Sequence, residues 1–389
     1  MKRLLTFFLI CFSFVEYTRA EDIIDYKYWD EGKLTWDDFQ DTLSLKGVPS
    51  TFNAFLRIEK TEKRDGNTRT IRPEAQACFD KRHSFADRQI QNENLLRLFQ
   101  LKYDLLEMYR RRLQTELNLG VVGIAADNRT RQYMDLYTEQ SKKAEQETEN
   151  GQNEIKLQEW EFYVTKELIE NPAPSIPRIS PRRFGYGFYL GTGASFPVGN
   201  IADYWAPAWQ INVGFDLAYA NTHLLCDFSA GTARTRQEIT VSNGQITDTW
   251  LPNGHNTYTS ISLGIGQQLV STKYFALMPY AGCIWSGYSD QAKIQEGRNE
   301  RTTLSYTNFN WTAGICFDYR FSTTISLVPS FWRGHREIFT ASIRTKLFIN
   351  REQFHNFKIA PDDNGSMLRG CKLGFSVACL GFSRLLQIK

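Results

Sequence analysis

Two stretches of the chain alternate without a break for about twice the usual length of a strand. From Trp209 to Tyr219 one face carries Trp209, Ile211, Val213, Phe215, Leu217 and Tyr219, and the other carries Gln210, Asn212, Gly214, Asp216 and Ala218. From Phe309 to Phe321 one face is Phe309, Trp311, Ala313, Ile315, Phe317, Tyr319 and Phe321, and the other is Asn310, Thr312, Gly314, Cys316, Asp318 and Arg320. A period of two places the sets on opposite faces of a strand. Strands of soluble sandwiches usually span about five or six residues. A strand that crosses a bilayer needs about nine to eleven, turns its apolar groups outward and carries aromatics at both interfaces. The pattern predicts an all-β transmembrane antiparallel barrel over residues 184–389.

Loop lengths agree with that reading. Tight connections at "ANTH" near Ala220, "STK" near Ser271 and "STT" near Ser322 alternate with long polar ones such as "SDQAKIQEGRNERTT". Outer-membrane barrels have short periplasmic turns and longer outside loops. Strand-like segments begin near Phe184, Trp209, Leu224, Thr257, Tyr274, Ser305, Thr323, Phe339 and Lys372. An even number is expected. Either the segment from Thr323 to Trp332 is not a full span, which gives eight strands, or a tenth lies near Phe354 to Ile359; eight is the preferred count. The inward faces then carry Asp216, Asp227, Asp318, Arg320, Arg344 and Lys346. Both signs are present, and a barrel of about eight strands has an interior that side chains can fill. A plug of salt bridges is the expectation, and a narrow conduit is the alternative.

The start of the chain fits a secretory signal over residues 1–20: Lys2 and Arg3, then "LLTFFLICFSF", then "TRA". No later run approaches the roughly 20 apolar residues of a membrane helix. The net charge of +3 over 389 residues gives no steering toward nucleic acid. The cysteines after the signal form no CxxC pair, and they read as small buried apolar residues rather than a disulfide framework or metal site. Residues 21–170 read as a separate domain, polar and helical in period from Arg57 to Glu170. The segment "NPAPSIPRISPRR" at 171–183 reads as an extended, semi-rigid spacer, since proline fixes φ and removes donors.

Within that first domain, "LLRLFQLKYDLLEMYRRRL" from Leu95 to Leu113 has the spacing of an amphipathic helix packed on a core. The same part of the chain carries "LTWDDF" at Leu34 to Phe39, "FDKRHSF" at Phe79 to Phe85 and "AEQETENGQNEIKLQEW" at Ala144 to Trp160. In this order they resemble the secreted, zincin-like bacterial domain of unknown function 922, over about Lys33 to Leu168. The resemblance implies an α+β zincin-like fold. It also implies that the two helix histidines of the family fall on Leu98 and Lys102, its glutamate on Phe99, and a further histidine on Asn150. A leucine, a phenylalanine and an ammonium cannot bind or use zinc, so the domain is expected to be a degenerate pseudo-peptidase without metal or cofactor. His83 reads as a surface or capping histidine. The second half is similar to small outer-membrane barrels of the Bacteroidetes, OmpA-like or PorT-like in the broad sense, at "GTGASFPVGNIADYWAPAWQINVGFDLAY" and "LMPYAGCIW".

These readings combine into a non-catalytic outer-membrane protein whose periplasmic domain binds or anchors a protein. Its partners are expected to be membrane lipid and an envelope protein, docked around Leu98, Phe99, Lys102 and Asn150 or along a helix from Arg129 to Glu170. A small-solute channel is the alternative. An enzyme built on Asp104 and Glu107, three apart on one helical face, is the third possibility.

Overall fold

The computed structural model describes residues 26–41, 48–242, 247–290, 305–328, 336–354 and 368–388. The signal segment expected at 1–20 lies outside them. The chain divides into two compact units, Met1–Glu59 with Glu74–Ser175, and Lys60–Pro73 with Ile176–Lys389.

The first unit is mixed α and β. Its strands are β1 (Tyr26–Tyr28), β2 (Ser50–Thr51), β3 (Ala54–Asp65), β4 (Thr68–Asp80) and β5 (Phe85–Ala86), and its helices are α1 (Glu93–Leu119), α2 (Ile124–Glu147) and α3 (Glu154–Glu170). The helical period expected from Arg57 onward therefore begins only at Glu93. Before it the chain is a long hairpin, β3 on β4, with β1 added antiparallel along Cys78 to Asp80. The sequence Asp65-Gly66-Asn67 makes the reversal, with Gly66 at φ +58°, where a residue without Cβ carries no steric cost. The tip of this hairpin, residues 60–73, groups with the second unit, which the sequence-based boundaries do not anticipate.

Helix α1 starts where the Asn92 side chain accepts from the Leu95 amide at 2.9 Å, and stops at Gly120, φ +123°. It buries Leu98, Leu101, Leu105, Leu106, Met108 and Leu113 in one core with Leu34, Ala75, Ala77 and Phe79. Each large apolar side chain so buried contributes about 1.5–3 kcal/mol. The single helix expected from Arg129 to Glu170 is two helices. The break is a run of left-handed residues, Glu149, Asn150 and Gly151, pinned by the buried Thr148, whose hydroxyl donates to the Ala144 carbonyl at 2.7 Å and accepts from the Gly151 amide at 3.2 Å.

In the second unit the strands are β6 (Ile179–Gly199), β7 (Ala208–Tyr219), β8 (Thr222–Arg234), β9 (Ile239–Ser242), β10 (Thr247–Trp250), β11 (His255–Gln267), β12 (Val270–Ser271), β13 (Phe275–Asp290), β14 (Ser305–Ser326), β15 (Glu337–Phe354) and β16 (Leu368–Ile388), with a short helix α4 (Ile201–Tyr204) after β6. The long strands pair antiparallel in chain order from β6 to β16, and β16 pairs back onto β6. The "ISPRR" end of the expected spacer belongs to β6, where Ile179 faces Ile388, and the terminal "LLQI" belongs to β16. The segment at Thr323 is the continuation of β14, not a separate strand, and "STT" is no turn. A register shift between Arg320 and Ser322 breaks the alternation there, and beyond it Thr323–Ser326 pair in parallel with Thr68–Ile71 of the hairpin tip. The expected tenth segment falls largely outside the described residues.

The exposure of this sheet is inverted relative to a soluble protein. On β7, Trp209, Ile211 and Phe215 are 65%, 61% and 55% exposed, whereas Gln210, Asn212 and Asp216 are buried. β8 and β11 alternate in the same sense. Inside, Tyr189 lies against Gly214, so close that a Cβ at 214 would stand 2.2 Å from the ring. At the end carrying the long loops, Trp205 stacks on Tyr288 with centroids 4.7 Å apart, and Ile201, Ile239, Trp250 and Tyr258 complete an apolar cluster.

A Cβ on Gly151 would meet the Asn94 carbonyl oxygen at 3.0 Å, and its φ is +89°. Gly151→Ala is expected to destabilise the α2–α3 corner by about 1–2 kcal/mol from the backbone term alone. Hydrogen exchange of the α1 and α3 amides should show it, with the amides of the second unit unchanged.

Candidate functional site

The polar residues of the alternating strands meet inside the second unit in three levels. Nearest the short-turn end, Arg344 on β15 donates through Nε and Nη2 to the two oxygens of Asp318 at 2.7 and 2.8 Å, and Nη2 also reaches Asp216 at 2.8 Å. The His223 Nδ1 stands 2.7 Å from the other Asp216 oxygen. The middle level is Lys346, which donates to Asp227 at 2.6 Å, while the Tyr189 hydroxyl donates to the same carboxylate. The Lys346 ammonium also lies 4.7 Å from the centroid of the Tyr280 ring. Toward the long loops, Lys372 and Glu352 stand 2.7 Å apart as an ion pair without the angles of a directed hydrogen bond. The rings of Tyr258 and Tyr288 flank that ammonium at 3.7 and 4.4 Å.

Five of the six charges expected in the lumen are thus brought together in complementary pairs. Arg320 differs. It sits half-buried beyond the Asp318 level and donates to the Thr272 carbonyl at 2.7 Å rather than to a carboxylate. Lys372 and Glu352 escaped the sequence reading, although parity locates Glu352: on β15 it continues the even-numbered face of Arg344 and Lys346. His223 and Tyr189 were also missed, because an isolated histidine or tyrosine in a strand carries no signal until its partner strand is known. Stacking charge in this way is costly. Desolvation roughly offsets Coulomb attraction in a buried pair, but removing one partner leaves the other charge uncompensated.

In the first unit the four positions matched to the zincin motif do not make a docking surface. Leu98 and Phe99 are core residues, 1% and 3% exposed. Phe99 contacts the rings of Trp36, Phe39 and Phe52 with centroids 5.2–6.3 Å away. Lys102 is buried too; its ammonium donates to Glu145 at 2.5 Å and lies 4.7 Å from the Phe52 centroid. Only Asn150 is on the surface, in the left-handed turn. A partner cannot reach Leu98 or Phe99 without unpacking the core, so the docking face expected there is corrected. His83 is exposed, with Nδ1 2.8 Å from Asp80.

The two carboxylates of α1 are taken up by the fold. Asp104 accepts from Trp29 Nε1 and Gln100 Nε2, both at 2.8 Å, and burial pushes its carboxyl above the usual range against those hydrogen bonds. Glu107, 1% exposed, is held by Arg110 at 2.6 and 2.8 Å and by Arg111 at 2.8 Å.

Neither a protein-family model nor a curated protein sequence matches the chain. Solved structures similar to it are outer-membrane barrels. Ail, the attachment invasion locus protein of Yersinia pestis, is 10% identical with a TM-score of 0.27, covering 52% of this chain and 99% of that one. The N-terminal β-barrel domain of Pseudomonas aeruginosa OprF is 9% identical, TM-score 0.22, covering 52% and 99%. A major outer membrane protein of Thermus thermophilus is 12% identical, TM-score 0.24, covering 51% and 98%. The chain has two parts, a mixed α+β unit and a β-sheet unit that resembles such barrels.

Arg344→Met strands Asp216 and Asp318 in the interior of the second unit, and the expected cost is about 3–5 kcal/mol. Denaturant titration of tryptophan fluorescence in lipid vesicles measures it; Arg344→Lys, which keeps the charge, should lose less.

Proposed function

We propose that this is an outer-membrane protein in which a closed eight-stranded barrel with a sealed interior anchors a non-catalytic, peptidase-like unit that binds an envelope protein. The observation that carries the reading is the inverted exposure of the long strands. An apolar surface of this extent is unfavourable against water and favourable against lipid, and a ring of paired strands satisfies the backbone where no water can.

Topology supports one orientation. The chain enters β6 and leaves β16 at the end where β7 and β8 are joined by Ala220 and Asn221 alone. Short turns are periplasmic in such barrels, so the first unit would lie in the periplasm. Three levels of paired charge and an aromatic cluster at the opposite end favour a plug over a conduit. For the first unit, the four motif segments support a degenerate zincin-like fold, with leucine, phenylalanine and lysine at the former ligand positions. A stripe on α3 supports protein binding: Ile155, Phe162 and Ile169 recur every seven residues and are 72%, 72% and 74% exposed, the repeat of a helix that packs against another helix.

A second reading, a small-solute channel, is favoured by a cavity of about 370 Å3 at the short-turn end of the barrel, which would serve as its vestibule. Conductance in planar bilayers separates the two.

Two experiments test the main reading. In a cysteine-free background, Arg236→Cys, on the long-loop side, should react with a membrane-impermeant maleimide on intact cells. Gln152→Cys, in the first unit, should react only after the outer membrane is opened; equal labelling of both on intact cells would sink the orientation. In-cell crosslinking should capture an envelope protein through the wild-type chain, and Phe162→Glu should reduce that capture severalfold. Unchanged capture would remove α3 from the binding face.

A further inference from the structure

The cavity at the short-turn end has a wall whose charges do not balance. Asp318, in the lining, has both oxygens engaged by Arg344, which also holds Asp216 behind it. Two more guanidiniums line the same space. Arg320 donates to the Thr272 carbonyl at 2.7 Å and Arg384 to the Ala220 carbonyl at 2.6 Å. Carbonyls orient a guanidinium without neutralising it, and neither arginine has a carboxylate within ion-pair distance among the described residues. Lys273, also in the lining, is matched by Asp65 at 3.1 Å. Three guanidiniums therefore face two carboxylates, and one positive charge is left over. Arg344 Nη1, buried in the wall, has no hydrogen-bond partner among the described residues.

Between these charges the wall mixes apolar side chains, Met278, Leu380 and Phe382 among them, with hydroxyl and amide groups such as Ser271, Thr340 and Gln268. A cavity of about 370 Å3 is in the range of small-molecule sites, which combine apolar walls with a few convergent polar groups. Planar guanidinium forks match a carboxylate in shape and charge. We infer that this cavity binds a small organic monoanion, a carboxylate on a compact apolar body, with Arg320 and Arg384 as its anion contacts. The site deepens the vestibule of the second reading but does not require the barrel to conduct. A chain that binds the anion and carries no current would remove the channel and leave the site.

The test uses the full-length protein in lipid nanodiscs, with 4-fluorobenzoate as the probe and 4-fluorobenzyl alcohol as its neutral counterpart, followed by fluorine NMR against empty nanodiscs. Saturable binding of the acid is expected, with binding of the alcohol weaker by about tenfold or more, the scale of one hydrogen bond to a charged group. Arg384→Gln and Arg320→Gln should each weaken the acid by a similar factor, and Arg384→Lys, which keeps the charge but not the fork, should weaken it less than Arg384→Gln does, which guards against a variant that merely misfolds. Absence of saturable binding overturns the inference. Equal binding of acid and alcohol, or binding of the acid that ignores all three variants, shows only an apolar hollow and overturns it as well.

Discussion

Arg344 ties β15 to its neighbour β14 through Asp318 and, across the ring, to β7 through Asp216. Much else in the second unit depends on the constraint behind that contact. On the proposed reading, a strand that faces hydrocarbon on one side must keep its polar groups on the other, and a ring of such strands gathers them all into one narrow interior. Once there, each charge is compensated locally or it is costly. The lumen answers with a ladder of pairs, Arg344 with two aspartates, Lys346 with Asp227 and Lys372 with Glu352, and with tyrosine rings laid over the ammonium groups. Gly214 on the inner face leaves room for the Tyr189 ring, which a Cβ there would strike.

The first unit obeys the opposite rule. Its core is apolar, and its long helix is addressed inward along most of its length. At the positions where the zincin-like resemblance would put ligands, the side chains pack: Phe99 sits among Trp36, Phe39 and Phe52, and the buried Lys102 is paired with the partly exposed Glu145. A side chain that has joined the core cannot also present a surface. Binding, on the proposed reading, has moved to the exposed stripe of α3.

Much of the second unit was legible because its signal is local. Alternation over Trp209–Tyr219 and Phe309–Phe321 fixes which side chains share a face, and the inner set could be named from it. The failures have equally local causes. At Ser322 a bulge shifts the period by one residue, so a single strand read as two segments. At 54–80 a polar β hairpin carried few apolar residues, and its charged positions passed for a helix; the Asp65-Gly66-Asn67 reversal was the available signal. Between Glu147 and Glu154 the left-handed run at Asn150 and Gly151 was a turn hidden inside a charged sequence.

What the sequence determined by itself was the kind of surface each segment can bear: apolar on one face of long strands and apolar along one stripe of α1. These follow from residue type and spacing, which are properties of the chain before it folds. Only the tertiary structure decided who meets whom. That Arg344 reaches both Asp216 and Asp318 and that Arg320 and Arg384 are left with carbonyls at one cavity are consequences of strand register and ring closure, and residues 60–73 group with the second unit where Thr68–Ile71 pair with Thr323–Ser326. Register brings together residues more than a hundred positions apart, and no local pattern encodes that distance.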